Sequence, residues 1–465
     1  MAQPSETFEL TPIDIDPAAD SRARHRTWRR ALGVGTGASL VTCLLVAARL
    51  VPIGSQSGNW VYGYLQPFSL RILVVALVAG VLIHVATVIA TDTIERHQWA
   101  TVVACLVVGL IAQNLLRTLT PIGMNRMFTS SGANAFYEVA ASYAPSTVLR
   151  DFNALRQTWP LHARSNMPGK VIVVSALERV SERPRILALL TLTLSNIGGL
   201  LMYGFVRDLF NDRRVALFSL VLYLLVPGKL YFFPLMNTVT PAVLLSFLWL
   251  SLRWILTGRS LFAMGAGVAL YGLVFFEPLP LVMGVVLGAL AIATLWRNGG
   301  WSRFAIQAGL CTLTLGAVHA FVRWRYGFDA IDTLRLLTPE AVGFNAAAER
   351  PYLLWLWQNL LDFLFAVGVC QGVVFLGVLR ETPRRMVEPI GVLCASLAVA
   401  LFVLDLAGVN RGEVVRLWIF LACAFQIPAA YVCARLNSRL ALTLVIATTI
   451  LQDALGTAMI GFVVP

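Results

Sequence analysis

The chain has 465 residues, of which 58% are hydrophobic and 13% charged, with a mean hydropathy of +0.75 and a formal net charge of +12. A soluble domain carries roughly 25% charged residues, so half that amount excludes an ordinary water-soluble domain and makes lipid the main solvent. The positive excess does not indicate nucleic-acid binding, because its arginines are spread through short segments between apolar runs.

In chain order, residues 1–30 form a polar tail. It is acidic at first and then basic through Arg22, Arg24, Arg26, Arg29 and Arg30, with no cleavable signal pattern. We read it as a disordered cytoplasmic segment that anchors the first span. Apolar runs follow at 31–51, 69–90, 100–116, 186–206, 215–235, 240–256, 261–276, 279–296, 304–321, 353–379, 387–408, 417–434 and 440–464. At roughly 20 residues per crossing they give about 13 spans. The expected fold is therefore an all-α polytopic bundle, one transmembrane domain over 31–465. Arginine marks every short segment at 91–98, 207–214, 297–303, 380–385 and 435–439, which places those segments and the amino terminus inside. Loops 118–169, 322–352 and 409–416 then lie outside. Segment 170–180 (KVIVVSALERV) is too short to span and is read as an interfacial helix.

The seven cysteines all fall inside apolar runs with no CxxC spacing, so they read as small core residues rather than metal ligands or disulfide partners. There is no GxxxxGK[ST], HExxH or GxSxG, which removes nucleotide-driven pumping and zinc or serine hydrolysis. No internal repeat is evident, so an inverted-repeat transporter is not favoured. The intramembrane acids Asp362, Asp405 and Asp453 are the only hints of a polar path through the spans. Asp405 lies near the outer end of its span and Asp362 and Asp453 are each isolated among apolar neighbours, so a continuous relay is not expected.

The chemistry concentrates in the outer loops. Cations are disfavoured on a translocated face, and guanidinium groups bind phosphate through paired hydrogen bonds. In WPLHARSNMPGK (159–170), His162, Arg164 and Lys170 sit on a turn at headgroup level, a geometry suited to a phosphate. Glu138 and Asp151 are candidate general bases in the same loop, with surface pairing of Asp151 to Arg150 or Arg156 as the bland alternative. Glu277, in FFEPLP, is a third acid beside apolar spans. NRGEVVRLW (410–418) places Arg411, Glu413 and Arg416 in one tight turn, with Glu413 and Arg416 three apart on a shared helical face.

These features together resemble a GT-C type membrane glycosyltransferase. The resemblance rests on an acid-bearing early outer loop, on His162 and Arg164 followed by Pro168 and Gly169, on a short helix after that turn, and on RDLFNDRR leading into LYLLVPGKLYFFPLMNTVTP. It covers about residues 126–259 and the NRGEVVRLW turn. It implies a sugar carried on polyprenyl phosphate, inverting transfer at the outer face to a glycan, lipid or protein acceptor, and a loop carboxylate as base. His162, Arg164, Lys170, Arg411 and Arg416 would hold the donor phosphate, with Asn134 and Glu413 orienting. No cofactor is indicated, and a divalent metal is left open. One position departs from the family pattern: Asn134 stands where an acid is expected, which leaves Glu138, Asp151, Glu277 or no residue as the base. The competing readings are a transporter, polymerase or ligase for lipid-linked glycans, and a non-catalytic membrane scaffold. The glycosyltransferase reading predicts that Glu138, Asp151 or Glu277 faces a hollow shared with His162, Arg164 and Arg411, and all three acids pointing away from it would count against the reading.

Overall fold

The computed structural model describes residues 17–382 and 388–464, with side chains from residue 24 onward. The acidic start of the tail, the side chain of Arg22, and Arg384 and Arg385 of the 380–385 segment lie outside the described residues. The fold is a helical bundle. Its one named sheet among the described residues is a hairpin pairing Ile53–Ser55 with Trp60–Tyr62.

Eleven described helices are long and apolar enough to cross a membrane, or twelve if one bent pair counts as a single span. This is a multi-pass membrane protein. Each apolar run named above is helical, but two are not simple crossings. Ser260–Phe276 is a shorter apolar helix. The run at 353–379 splits into Tyr352–Val367 and Val369–Leu379, bent by 108°. The bend falls at Gly368, whose φ of +101° is open to glycine and strained for other residues. Backbone groups around the bend need partners in a medium without water. Gln452 and Gln426 supply them. Gln452 Oε1 accepts from Val369 N at 3.1 Å, Gln452 Nε2 donates to Phe365 O at 2.7 Å, and Gln426 Nε2 donates to Val367 O at 2.8 Å. The basic segment forms the start of the first helix, Pro17–Ala47.

Burial sorts the helices. Nearly every residue of Arg213–Phe232 and Ile419–Leu436 is buried inside the bundle, so they form its centre, whereas few residues of Trp301–Tyr326 are buried and it lies on the rim. Asp212 starts the central helix by accepting from Arg214 N and Val215 N at 2.9 and 3.0 Å, which satisfies two orphan donors of the first turn.

The bundle has two dissimilar ends. At one, the short arginine-bearing turns are tied together by contacts such as Arg213–Glu95 at 2.8 Å. At the other, the long loops meet. Asn59 donates to Glu349 O, Trp355 Nε1 to Gly58 O, and Asn345 to Gly408 O and Val409 O. The first long loop folds into short helices, one opened by Pro145 at its first position and another preceded by Pro168 at its cap, and Pro184 opens the span that follows. The last of them before the next span is Gly169–Glu178.

Candidate functional site

Gly169 fixes the geometry at the long-loop end. A Cβ there would sit 2.4 Å from the carbonyl oxygen of Phe275, so only glycine lets this helix start against the end of Ser260–Phe276. The close approach sets Lys170 beside Glu277. Lys170 Nζ lies 2.9 Å from Glu277 Oε2, with side-chain exposures of 1% and 7%. Thr240 Oγ1 donates to the same carboxylate oxygen at 2.5 Å, and Lys170 Nζ also donates to Asn166 Oδ1 at 3.0 Å. The rings of Phe136 and Phe276 lie 5.6 and 5.7 Å from the ammonium. Burial lowers the Lys170 pKa below its ordinary value, and Glu277 opposes the shift without cancelling it.

A continuous line of polar contacts runs on from this pair. Asn166 Nδ2 donates to His162 O at 2.8 Å, and His162 Nε2 is 3.1 Å from Arg416 Nη1. Arg416 contacts Glu413, and Glu413 Oε1 receives Arg350 Nη2 at 3.2 Å. Burial, reinforced by the Arg416 charge, pushes the His162 pKa down to about 4. The imidazole is therefore neutral at neutral pH. Arginine can only donate, so Nε2 must accept and Nδ1 carries the proton. Burial pushes the Glu413 carboxyl upward, but Arg416 and Arg350 more than offset it, and its pKa ends below the ordinary range.

The turn that supplies Glu413 is strained. Glu413 has φ +60° and follows Gly412 at φ +77°. A left-handed glutamate persists only where its surroundings over-determine it. Here the Arg350 and Arg416 contacts do so. The Nε atoms of Arg350 and Arg416 are buried and meet no acceptor among the described residues. The line thus holds three buried or nearly buried cations, Lys170, Arg350 and Arg416, against two carboxylates, with guanidinium donors left over.

The structure brings His162, Lys170, Glu277, Glu413 and Arg416 together in this line, and it sets the other sequence candidates elsewhere. Arg411 lies next to the line without joining it. It donates to Gly408 O and Arg350 O, its guanidinium lies 5.1 Å from the Tyr352 ring centre, and its carbonyl accepts from Arg350. Arg164 goes with a second pair. Arg156 binds Glu340 through both nitrogens at 2.9 and 2.8 Å and also donates to the Arg164 carbonyl. That Arg156 fork, helped by the Arg164 charge, holds the Glu340 carboxyl low. Asp151 pairs with Arg150 at 3.3 Å on the surface, and Glu138 is exposed. Asn134 is buried at a break in its helix. Its Nδ2 donates to Phe128 O at 2.8 Å, and its Oδ1 has no partner among the described residues.

Arg350, Thr240 and Asn166 belong to the line but were not singled out by sequence. Arg350 was one of several outer-loop arginines, and nothing in its neighbours marks it as the partner of Glu413, 63 positions away. The intramembrane acids do not form a path. Asp362 accepts from Gly54 N and Gln358, Asp405 accepts from Asn359, and both oxygens of Asp453 are buried without partners among the described residues. No group of three or more His, Cys, Asp or Glu side chains is placed to hold a metal ion among the described residues.

Comparison with protein-family models and with curated protein sequences finds no match for this chain.

Proposed function

We propose that the protein is a membrane glycosyltransferase of GT-C type that uses a sugar carried on polyprenyl phosphate, with the long-loop end facing outside the cell. One observation carries this reading: a buried line of side chains in which the cationic donors of Lys170, Arg350 and Arg416 face only two carboxylates among the described residues, Glu277 and Glu413. Such donors favour a phosphate-bearing headgroup.

Glu277 is the base in this scheme. Of the three candidate acids it alone is buried within the line, where Lys170 and Thr240 fix its orientation. The acceptor hydroxyl oxygen attacks the anomeric carbon from the face opposite the phosphate. The carbon–oxygen bond to the lipid phosphate breaks, its electron pair leaves with that phosphate, and the hydroxyl proton passes to Glu277. Arg416 and Lys170 stabilise the charge gathering on the leaving phosphate. His162, neutral and accepting from Arg416, aims that guanidinium.

The test is release of polyprenyl phosphate from polyprenyl-phosphate sugars by purified protein in lipid, with binding measured in parallel. Wild type should turn over, and Glu277→Gln should bind donor yet lose turnover by at least about a hundredfold, the usual worth of a general base. Full turnover by Glu277→Gln would remove the base assignment. A second reading, non-catalytic retention of a lipid phosphate, is favoured by the surface placement of Glu138 and Asp151 and by the amide at Asn134. Donor binding without turnover in wild type would select it.

A further inference from the structure

A cavity of about 410 Å³ lies at the arginine-rich end, far from the line described above. It sits between helices Leu70–Thr93, Arg213–Leu224, Gln426–Leu436 and Arg439–Met459. Buried Thr87, Phe218, Cys433 and Leu442 form its floor. Arg214, Arg439, Asp92 and Asn437 stand on its rim.

The sequence of Leu70–Thr93 is shaped to this cavity. Between Ile72 and Ile89 its only polar side chains are His84 and Thr87. With Thr91 they fall at i, i+3 and i+7, one stripe, and all three line the cavity. An ionisable residue such as His84 in so apolar a span is costly and marks a functional surface. Leu77, one stripe repeat before His84, and Val81, Val85 and Ile89 on the adjoining face are exposed on the lipid-facing side.

The threonine hydroxyls are already donated, Thr87 to Ile83 O and Thr91 to Thr87 O, so the rim arginines are the main donors. Arg214 gives Nη1 to Asn437 Oδ1 at 2.5 Å, leaving the rest of its five-donor fork. Arg439 is loosely paired with Asp92 at 3.6 Å, with side-chain exposures of 76% and 61%. Two arginines against one carboxylate leave the rim cationic, above a floor that is partly apolar.

We propose that this cavity is a second, separate binding site that takes the phosphate of an anionic membrane lipid. The headgroup phosphate sits between Arg214 and Arg439, with the acyl chains laid along the exposed Leu77–Val81–Val85 side of the helix. Basic pockets between spans at a membrane surface favour such headgroups.

The test uses the full chain in detergent, titrated with phosphatidylglycerol, phosphatidylcholine or inorganic phosphate and followed by native mass spectrometry and thermal unfolding. Phosphatidylglycerol should be retained over phosphatidylcholine and should raise the unfolding midpoint. Arg439→Gln should weaken retention about fivefold, and the pair with Arg214→Gln about twentyfold, following the usual worth of an arginine near an anionic surface. Arg214→Lys with Arg439→Lys should restore most of the retention. Displacement of the lipid by inorganic phosphate supports an anion site and assigns it to a soluble phosphate. Equal retention of the two lipids, or retention unchanged in Arg439→Gln, overturns the proposal. Arg439 is exposed, so that single variant leaves folding intact and keeps the test decisive.

Discussion

The two ends of the bundle differ in how far they bury charge. At the arginine-rich end no ion pair among the described residues is fully buried, Arg207–Asp208 being part-buried, whereas the long-loop end adds buried pairs to exposed ones such as Arg150–Asp151. Arg213–Glu95, Arg435–Asp212 and Arg439–Asp92 are each substantially exposed. At the long-loop end, Lys170–Glu277 and Arg350–Glu413 are almost wholly buried. Exposed pairs contribute about 0–1 kcal/mol. Buried pairs frequently contribute less than an apolar pair of similar volume, yet breaking one is costly. Stability alone therefore gives no reason to bury the second set. The difference teaches where to look for chemistry: at the end where charge has been taken out of water.

The largest effect should come from stranding a buried charge. Lys170→Met leaves Glu277 unpaired and should destabilise the protein by about 3–5 kcal/mol. Lys170→Met combined with Glu277→Leu should recover most of that loss. Thermal unfolding in detergent reads both, and failure of the double variant to recover would mean that the pair is not the source of the cost.

A smaller effect is expected at His162. Its pKa is about 4 in the fold against 6.5 for the free side chain, so the unfolded chain binds the proton first as pH falls. The sign follows directly. Stability is complete above about pH 6.5 and is lost as pH drops toward 4, by on the order of 2 kcal/mol after allowance for its partial exposure. In His162→Gln that slope between pH 6.5 and 4.5 should flatten, and an unchanged slope would assign the acid sensitivity to other groups.

The smallest effects belong to the surface acids. Asp151→Asn and Glu138→Gln should shift stability by less than about 0.5 kcal/mol and leave polyprenyl phosphate release unaltered. A large loss of release in either variant would bring the loop acids back into the chemistry and blur the contrast between the two ends. Arg213→Gln, at the opposite end, should be similarly silent in thermal unfolding.

The helices were legible because lipid imposes long apolar runs, and each run is helical. The bend at Gly368 was not, because AVGVC is as apolar as its flanks and hydropathy does not register a positive φ. At the long-loop end, the residue types and the turns carrying Lys170 and Glu413 were visible. The pairings were not. Lys170 meets Glu277 across 107 positions, and that meeting depends on Gly169 fitting against Phe275 O, a tertiary contact with no local signature. Asp151 was ambiguous for the opposite reason: its partner, Arg150, is the adjacent residue, and adjacency says nothing about solvent.

The glutamines around Gly368 have a mechanical corollary. A kinked membrane helix is often imagined as a hinge, but this one is riveted. Swinging it straight would take acceptors or donors away from Val369, Phe365 and Val367 at once, in a medium that offers no replacements. Any large rearrangement of the bundle should therefore pivot elsewhere, with the two half-helices and the segments bearing Gln426 and Gln452 travelling as a single rigid block.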